Sequence, residues 1–363
     1  MPSLIQVLEA SALQALEIQQ PDGSMPSGHN GPYHDPETPV RNTAHWLVTF
    51  CHIYEQTQDQ RLFHAANKAT NYLLSAEARP QEASFFCRKN PKKDSCNGLI
   101  GQAWAIEGLI CAARTLKRED AYTTAKEVFE LHPFLENRAI WQRVAAEGNY
   151  LTPDRTFNHQ LWFAAIGAEL RDQEATDKVY QFLDQIGTNV DNYQNGVIFH
   201  NSPLGKTKLK DLNSLSNITM AIKRIVKSKR NRRSLYSKSV GYHSFNLYAF
   251  AILKKHFPKH KFWSSSKMQK MLDITKEPIF RTQLDQSDYS WPYNPPGLEL
   301  AFCGEAFDLG KDYCQKWITT QVEKTYDHKT KNLMLNNSAD TTTSSARIYE
   351  ATRLNNDYEV NYP

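Results

Sequence analysis

Three polar side chains in a row, Asn158, His159 and Gln160, open the stretch TFNHQLWFAAIGAEL (Thr156–Leu170), and nearly everything after them is apolar or small. A helix that is apolar all round has to be buried. Its first turn can carry Asn-His-Gln only if those groups meet a polar partner or a ligand, because an unpaired buried donor or acceptor costs about 1–3 kcal/mol. His159 could exchange a proton near neutrality, the ordinary imidazole pKa being about 6.5. A core histidine bonded to a neighbouring carbonyl fits the same position. Tyr242 and His243 form a second acid/base pair, with packing at a helix start as the plainer reading. Arg41 could grip a carboxylate or phosphate with both arms, or pair with Glu37 four residues before it.

Carboxylates are the other route to chemistry. Asp35, Glu37, Glu107, Asp288 and Glu299 fall near the expected inner ends of helices. Glycoside hydrolysis needs two such groups across the scissile bond, one of them kept protonated by an apolar setting. Glu299, just after the rigid Pro295-Pro296-Gly297 turn, is the better fixed, and Glu107 lies deeper in its helix. Trp46, Trp104, Trp162, Trp291 and Tyr293 offer flat faces on which sugar rings could stack, and as core aromatics they would be equally at home.

These residues need elements to hold them. Apolar positions in helical register predict a first helix around Ile5–Leu16, followed by a Pro/Gly-rich loop, Gln20–Arg41, that carries His29, Asn30, Tyr33, His34 and Asp35. A loop of that length in a folded chain points to function. Helical hairpins are then expected at Asn42–Gln56 with Asp59–Ser75, Gly98–Leu116 with Glu119–Leu131, and Asn158–Leu170 with Gln173–Ile186. Two more follow, at Gly241–His256 with Phe262–Ile274 and at Gly297–Asp308 with Lys311–Thr325. A further helical stretch is expected at Asn137–Glu147 and a last helix at Thr343–Leu354, with a short strand possible at Val197–Phe199.

First helices recur roughly every 50–60 residues, except for one gap of about 85 that holds an insertion, the spacing of a helical-hairpin array. If the N-terminal helix partners the last one, six hairpins close into a ring and no apolar end is left bare, whereas an open solenoid would need polar caps. The expected architecture is therefore all-α, a single (α/α)6 toroid over residues 1–363 with residues 189–240 as a basic insertion.

In such a ring the inner helices would bring their openings to one mouth, N-terminal dipole ends toward a common cavity. Those openings are polar: ETPVRNTAHW, CNGLIGQAW, TFNHQLW, GYHSFN, YNPPGLE and TTSSAR. They supply Arg41, Asn42, His45, Trp46, Gln102, Trp104, Gln160, Trp162, Asn246, Asn294 and Arg347 as candidate substrate-binding residues, joined by His29, Glu37 and Trp291. The candidate catalytic set is Asn158, His159, Tyr242, His243, Glu299 and Asp35.

Composition narrows the field. At 40% hydrophobic and 23% charged residues the chain is that of a globular protein. No apolar run approaches a membrane span, and the acidic, amphipathic N-terminus is no signal peptide. The six cysteines lack paired metal spacing and fit reduced core residues, so the cytoplasm is the expected compartment. The net charge of +4 is uneven: Lys206, Lys208, Lys210, Lys223, Arg224, Lys227, Lys229, Arg230, Arg232, Arg233 and Lys238 crowd the insertion. There Ile218, Ile222, Ile225 and Val226 make Asn217–Lys229 a basic amphipathic helix. It would suit an anionic polymer or the inner face of an anionic membrane, through residues 206–238, or simply face solvent. Nucleic acid fits poorly, since no binding module accompanies the charge. The absence of a Gly-rich phosphate loop, His-Glu-x-x-His and Gly-x-Ser-x-Gly argues against nucleotide cofactors, zinc peptidases and common serine hydrolases. No cofactor or metal is expected.

The stretch AHWLVTFCHIYEQTQDQRLFHAANKATNYLL (Ala44–Leu74) resembles the six-hairpin α/α toroid enzymes of carbohydrate metabolism. Within that group the resemblance points to unsaturated-uronyl hydrolases of glycoside hydrolase families 88 and 105, which use acidic residues. It points equally to alginate-type lyases, which use an Asn-His pair with a tyrosine, and to N-acylglucosamine 2-epimerases, which use histidines. FNHQLW is similar to the lyases' Asn-Asn-His-x-Tyr-Trp, with Asn158, His159 and Trp162 in matching places and Phe157 and Leu161 where the lyases have Asn and Tyr. In such a lyase Asn158 would help neutralise the uronate carboxylate while His159 and Tyr242 move protons. The hydrolases' His-x-x-x-Asp-Gly signature is missing. HNGPYHDPETPVRNTAHW and NGLIGQAWAIE also resemble proteins encoded with surface-polysaccharide assembly enzymes.

The leading expectation is an enzyme that cleaves a glycosidic linkage in an anionic, uronate-type oligo- or polysaccharide, hydrolysis ahead of β-elimination by Asn158, His159 and Tyr242. Epimerisation by His159 and His243 is a third reading. A noncatalytic glycan-binding component of a polysaccharide assembly system is a fourth.

Overall fold

A computed structural model describes residues 2–200, 232–330 and 332–360. Most of the expected basic insertion, including Asn217–Lys229 and the cations from Lys206 to Arg230, lies outside the described residues.

Inner helices α2 (Val40–Thr57), α4 (Gly98–Leu116), α6 (Phe157–Glu169), α9 (His243–His256) and α12 (Pro296–Ala306) each pack on the next. The sixth place is taken by a 3-10 helix, Arg347–Arg353, that continues the short α14 (Thr341–Ala346) and touches both α12 and α2, so the ring closes. Outer helices back it: α1 (Leu4–Leu16), α3 (Gln60–Leu73), α5 (Glu119–Leu131), α7 (Gln173–Asn189) and α13 (Lys311–Thr325). Helices α8 (Arg232–Gly241), α10 (Ser266–Asp273) and α11 (Pro278–Asp285) fill the long connections around α9.

The division between layers follows from patterning. Along α6 every residue from Leu161 to Ala168 is buried, as an all-apolar helix inside a ring must be. On α3 only one stripe, including Leu62, Ala66, Ala69 and Leu73, faces inward, and each such leucine contributes about 1.5–3 kcal/mol. Crossings are tight where glycine allows it: a Cβ on Gly108 of α4 would stand 3.1 Å from the Cα of Ala44 on α2.

Closure also joins the chain ends. The Leu4 amide donates to the Tyr358 carbonyl at 2.9 Å and the Val360 amide to that of Pro2 at 3.0 Å. Helix α1 contacts α2, α3 and the last 3-10 helix, so the N-terminal helix does close the seam with the C-terminal one. The all-α toroid of helical hairpins expected from the sequence is the fold observed.

Two elements differ from expectation. The stretch Asn137–Glu147 is not helical. It holds β2 (Ile140–Val144), which pairs antiparallel with β1 (Phe134–Leu135) and β3 (Tyr150–Pro153). Gly148, at φ +83°, makes the turn in which Ala145 and Asn149 pair, a backbone shape that favours glycine. Around Val197–Phe199 there is a single bridge, Asn192 to Ile198, rather than a strand. Among the described residues no helix is long and apolar enough to cross a membrane. All six cysteines are free and buried.

Candidate active site

The N-terminal ends of the inner helices surround a cavity of about 220 Å³. Its wall combines His159 and Asn158 from α6, Trp104 from α4, Arg41 from α2, Tyr242 from the start of α9, and Lys238 from α8.

His159 is held in one orientation by a carboxylate. Its Nδ1 lies 2.8 Å from Oδ2 of Asp154, in the loop between β3 and α6. A carboxylate can only accept, so the proton of the neutral ring sits on Nδ1 and the Nε2 lone pair is left for the cavity. Asp154 is itself held from three sides: Thr156 N–H donates to Oδ1 at 2.9 Å, and Leu99 N–H, from the first turn of α4, donates to Oδ2 at 3.0 Å. Burial works against its charge, but His159 and these amides outweigh it and hold the carboxyl below the usual range. The backbone of Gly98, at φ +60°, covers the pair so closely that a Cβ there would lie 2.4 Å from His159 Nδ1 and 2.5 Å from Asp154 Oδ2.

The wall is cationic. Arg41 is fully buried, pairs with Glu37 at 3.2 Å, donates to Asn30 at 3.1 Å, and lies 4.1 Å over the Trp104 ring. Its second arm, Nη2, is buried with no hydrogen-bond partner. Arg88 and Lys93 also border the cavity and are held from behind by Asp35, at 3.4 and 2.9 Å. Arg347 is braced by Glu350, by Glu299 at 2.9 Å and by Asn294. Lys238 has no carboxylate within ion-pair reach among the described residues. It stands over the rings of Tyr33, Tyr289 and Tyr242 at 4.7, 5.2 and 5.8 Å. Burial, with help from Lys93, lowers its pKa to about 8. No Asp or Glu lines the cavity among the described residues; each carboxylate sits behind the cation it supports.

Phenols and a second imidazole complete the wall. The hydroxyls of Tyr33 and Tyr242 are 2.8 Å apart, and that of Tyr293 donates to Asn30 at 2.6 Å. His200 lies against Tyr242, ring centroids 4.7 Å apart, and burial beside Lys238 and His159 lowers its pKa to about 3, so it is neutral.

Of the residues expected from the sequence, Asn158, His159, Tyr242, Arg41, Trp104, Asn294 and Arg347 border the cavity. Several others tie the inner helices to the loops before them. Gln160 accepts from the Trp141 amide at 2.8 Å and donates to the carbonyls of Trp141 and Asp154. Gln102 treats Phe85 and Cys96 the same way, and Asn42 donates to the Pro26 carbonyl at 2.8 Å. His243 spends both ring nitrogens, Nδ1 accepting from the Ile198 amide at 3.0 Å and Nε2 donating to the Met271 carbonyl at 2.9 Å. It is not placed to move a substrate proton.

The two expected acids are displaced as well. Glu299 is fully buried behind Arg347, where burial and the neighbouring Glu350 raise its pKa. Asp35 lies behind Arg88 and Lys93, and Glu37 behind Arg41. Among the described residues a pair of carboxylates flanking a scissile bond is therefore not found in this wall. Trp46, Trp162 and Trp291 are core: Trp46 stacks on Phe50, Trp162 stacks on Phe245, and Trp291 donates to Asp285. His45 stacks on Tyr349 at 4.1 Å, Asn246 donates to the Tyr242 carbonyl of its own helix, and the His29 amide donates to Asp340. Asp154, His200 and the unpaired state of Lys238 were missed. The Asp-x-Thr turn before α6 was the available signal for Asp154.

Among the described residues no group of three or more His, Cys, Asp or Glu is placed to hold a metal ion. No family model matches the chain. Among solved structures it is similar to a cellobiose 2-epimerase from Bacillus thermoamylovorans (TM-score 0.63, 11% identity, 96% of this chain and 98% of that one). It is similar also to a D-mannose isomerase (0.62, 12%, 96% of both) and to an unsaturated glucuronyl hydrolase specific for heparin (0.60, 13%, 96% and 95%). At these identities the likeness is one of fold, the (α/α)6 toroid. A relative in sequence is far nearer: archaeal glycosylation protein Q of Haloferax volcanii is 45% identical over 372 aligned positions, covering 99% of each chain. The chain belongs to the family of archaeal glycosylation protein Q.

Proposed function

We propose that the chain is an enzyme that epimerises an acidic sugar, taking the proton from the carbon beside the carboxylate and returning one to the other face. The observation that carries this reading is the pairing of His159 with Asp154 beside a wall that is cationic and, among the described residues, lined by no carboxylate. His159 Nε2 removes the proton. The electron pair moves into the carboxylate to give an enediolate, whose charge Arg41 and Lys238 are placed to offset. Tyr242, hydroxyl to hydroxyl with Tyr33, is the candidate to return a proton, and Asn158 to orient the sugar. A cavity of about 220 Å³ suits one sugar residue rather than a long stretch of polymer.

Other support comes from the relatives. A protein named for glycosylation belongs with glycan building, and epimerisation alters a sugar while leaving its linkage whole. Neighbours in fold bear the names of sugar epimerases, isomerases and hydrolases. β-Elimination shares the first step and differs only in expelling the neighbouring oxygen, so it is the second reading. Hydrolysis, preferred on sequence, finds no acid pair in this wall among the described residues.

Product analysis separates the three. Incubation with an oligosaccharide ending in a uronic acid, followed by NMR, should show the epimer at that residue with the chain length unchanged. An unsaturated sugar would instead establish elimination, and a new saturated reducing end would establish hydrolysis.

A further inference from the structure

The toroid has a second hollow at the other end of its axis. There the C-terminal halves of α2, α4, α6 and α9 and the end of the last 3-10 helix enclose about 210 Å³. That 3-10 helix serves both ends, sending Arg347 to the front cavity and Arg353 to this one.

The rear wall is polar and incompletely paired. Arg353 donates to Glu107 and to Glu169, both at 2.7 Å, and His256 reaches Glu169 at 3.3 Å. This leaves Oε2 of Glu107 buried without a hydrogen-bond partner, and Nε2 of His52 buried without one in good geometry, with Asn356 as its polar neighbour. Lys255 has no carboxylate within ion-pair reach among the described residues and lies 5.1 Å over the Phe302 ring. Arg114 meets Glu55 only at 3.8 Å. Lys255 and Arg114 fall in last turns, where a cation complements the helix dipole whatever else it does. Dipole complementation does not account for these atoms of Glu107 and His52, each of which costs about 1–3 kcal/mol if nothing meets it.

We propose that the rear hollow is a second binding site, for a small hydroxylated oxyanion such as a sugar acid or sugar phosphate. Its anionic group lies between Lys255 and Arg114, its hydroxyls meet Glu107 Oε2 and His52 Nε2, and its apolar face rests on Phe302. A bare anion satisfies only the cations and a neutral sugar only the hydroxyl acceptors. Burial raises Glu107 to about 7 against the pull of Arg353, so proton exchange with solvent accompanies binding near neutrality.

The site is independent of the front cavity, and calorimetric titration of the full chain can tell them apart. D-glucuronate and glucose 6-phosphate are the probes, with glucose and inorganic phosphate as controls. The double variant His159→Ala, Lys238→Ala disables the front site; Lys255→Ala, on an exposed residue, and Glu107→Gln alter the rear one. The front double variant should still bind at least one probe, about tenfold or more weakly once Lys255→Ala is added, the loss of one charge-assisted contact. With Glu107→Gln, the buffer dependence of the D-glucuronate binding heat near pH 7 should vanish, because the glucuronate carboxylate is already ionised there. Which probe binds identifies the anion as carboxylate or phosphate. No binding to the front double variant, or binding indifferent to both rear substitutions, overturns the proposal. So does equal affinity for glucose or inorganic phosphate.

Discussion

Oδ2 of Asp154 stands 2.8 Å from Nδ1 of His159, and the backbone of Gly98 closes over the contact. An imidazole held in this way has one tautomer and one orientation, leaving Nε2 as the only nitrogen able to take a proton from the cavity. Proton transfer by a positioned side chain supplies about 10²–10⁴-fold in rate. His159→Ala should lose activity in that range while the far-ultraviolet circular dichroism and melting profile stay close to those of the parent. Asp154→Asn should lose nearly as much, because an amide can turn its NH₂ toward Nδ1 and reverse the tautomer. Retained activity in either variant would place the chemistry elsewhere.

Gly98→Ala tests the same contact without touching either partner. The left-handed backbone alone costs about 1–2 kcal/mol, and the new methyl group would stand where the His159–Asp154 bond now passes. Activity should fall as far as in His159→Ala. Near-normal turnover would mean that the contact is not needed.

The proposed role of Lys238 predicts an upper pH limit on binding. With a pKa of about 8 it is cationic below that pH and neutral above it, so KM for an acidic sugar should climb as pH rises through about 8. Lys238→Arg should push that rise to higher pH, since a guanidinium stays charged. Lys238→Ala should raise KM at all pH values and remove the step. A KM independent of pH from 7 to 9 in the parent would show that Lys238 does not hold the anion, those limits being roughly one unit either side of the lysine's pKa.

Much of the ring could be read from the sequence because its signal is repetition: an all-apolar helix followed by an amphipathic one, several times over. What each polar opening does was harder to read. Asn42, Gln102, Gln160 and His243 look like site residues in sequence, yet each ties its helix to the preceding loop. A buried loop backbone needs partners as much as a ligand does, and a string of letters does not distinguish the two needs. His159 stood out and Asp154 did not, since the pairing depends on a turn bringing a loop carboxylate back over the next helix. The apolar residues of Ile140–Val144 are too few to separate the helical period from that of a strand.

The loop clamps carry a stability cost of their own. Gln160→Leu keeps the bulk but strands the Trp141 amide and carbonyl, and should lower the unfolding free energy in urea by about 1–3 kcal/mol. Gln102→Leu should behave alike at Phe85. Unchanged denaturation midpoints would show that water takes over these bonds.

Glu299 and Glu350 share Arg347, and burial with the neighbouring Glu350 raises the Glu299 pKa. Glu299→Gln keeps the shape of the side chain without its charge and should be nearly silent in stability. Arg347→Ala leaves the acids without their cation and should cost about 3–5 kcal/mol. Equal destabilisation by both substitutions would contradict this assignment.

The central claim is that His159 takes a proton from the carbon beside a sugar carboxylate. Incubation with a uronic-acid-terminated oligosaccharide in D₂O, followed by mass spectrometry and NMR, reads that step directly. The parent should place deuterium on that carbon and His159→Ala should not, with no saturated reducing end released by either. Cleavage by the parent to a saturated reducing end, with that carbon still carrying its original hydrogen, would contradict the account.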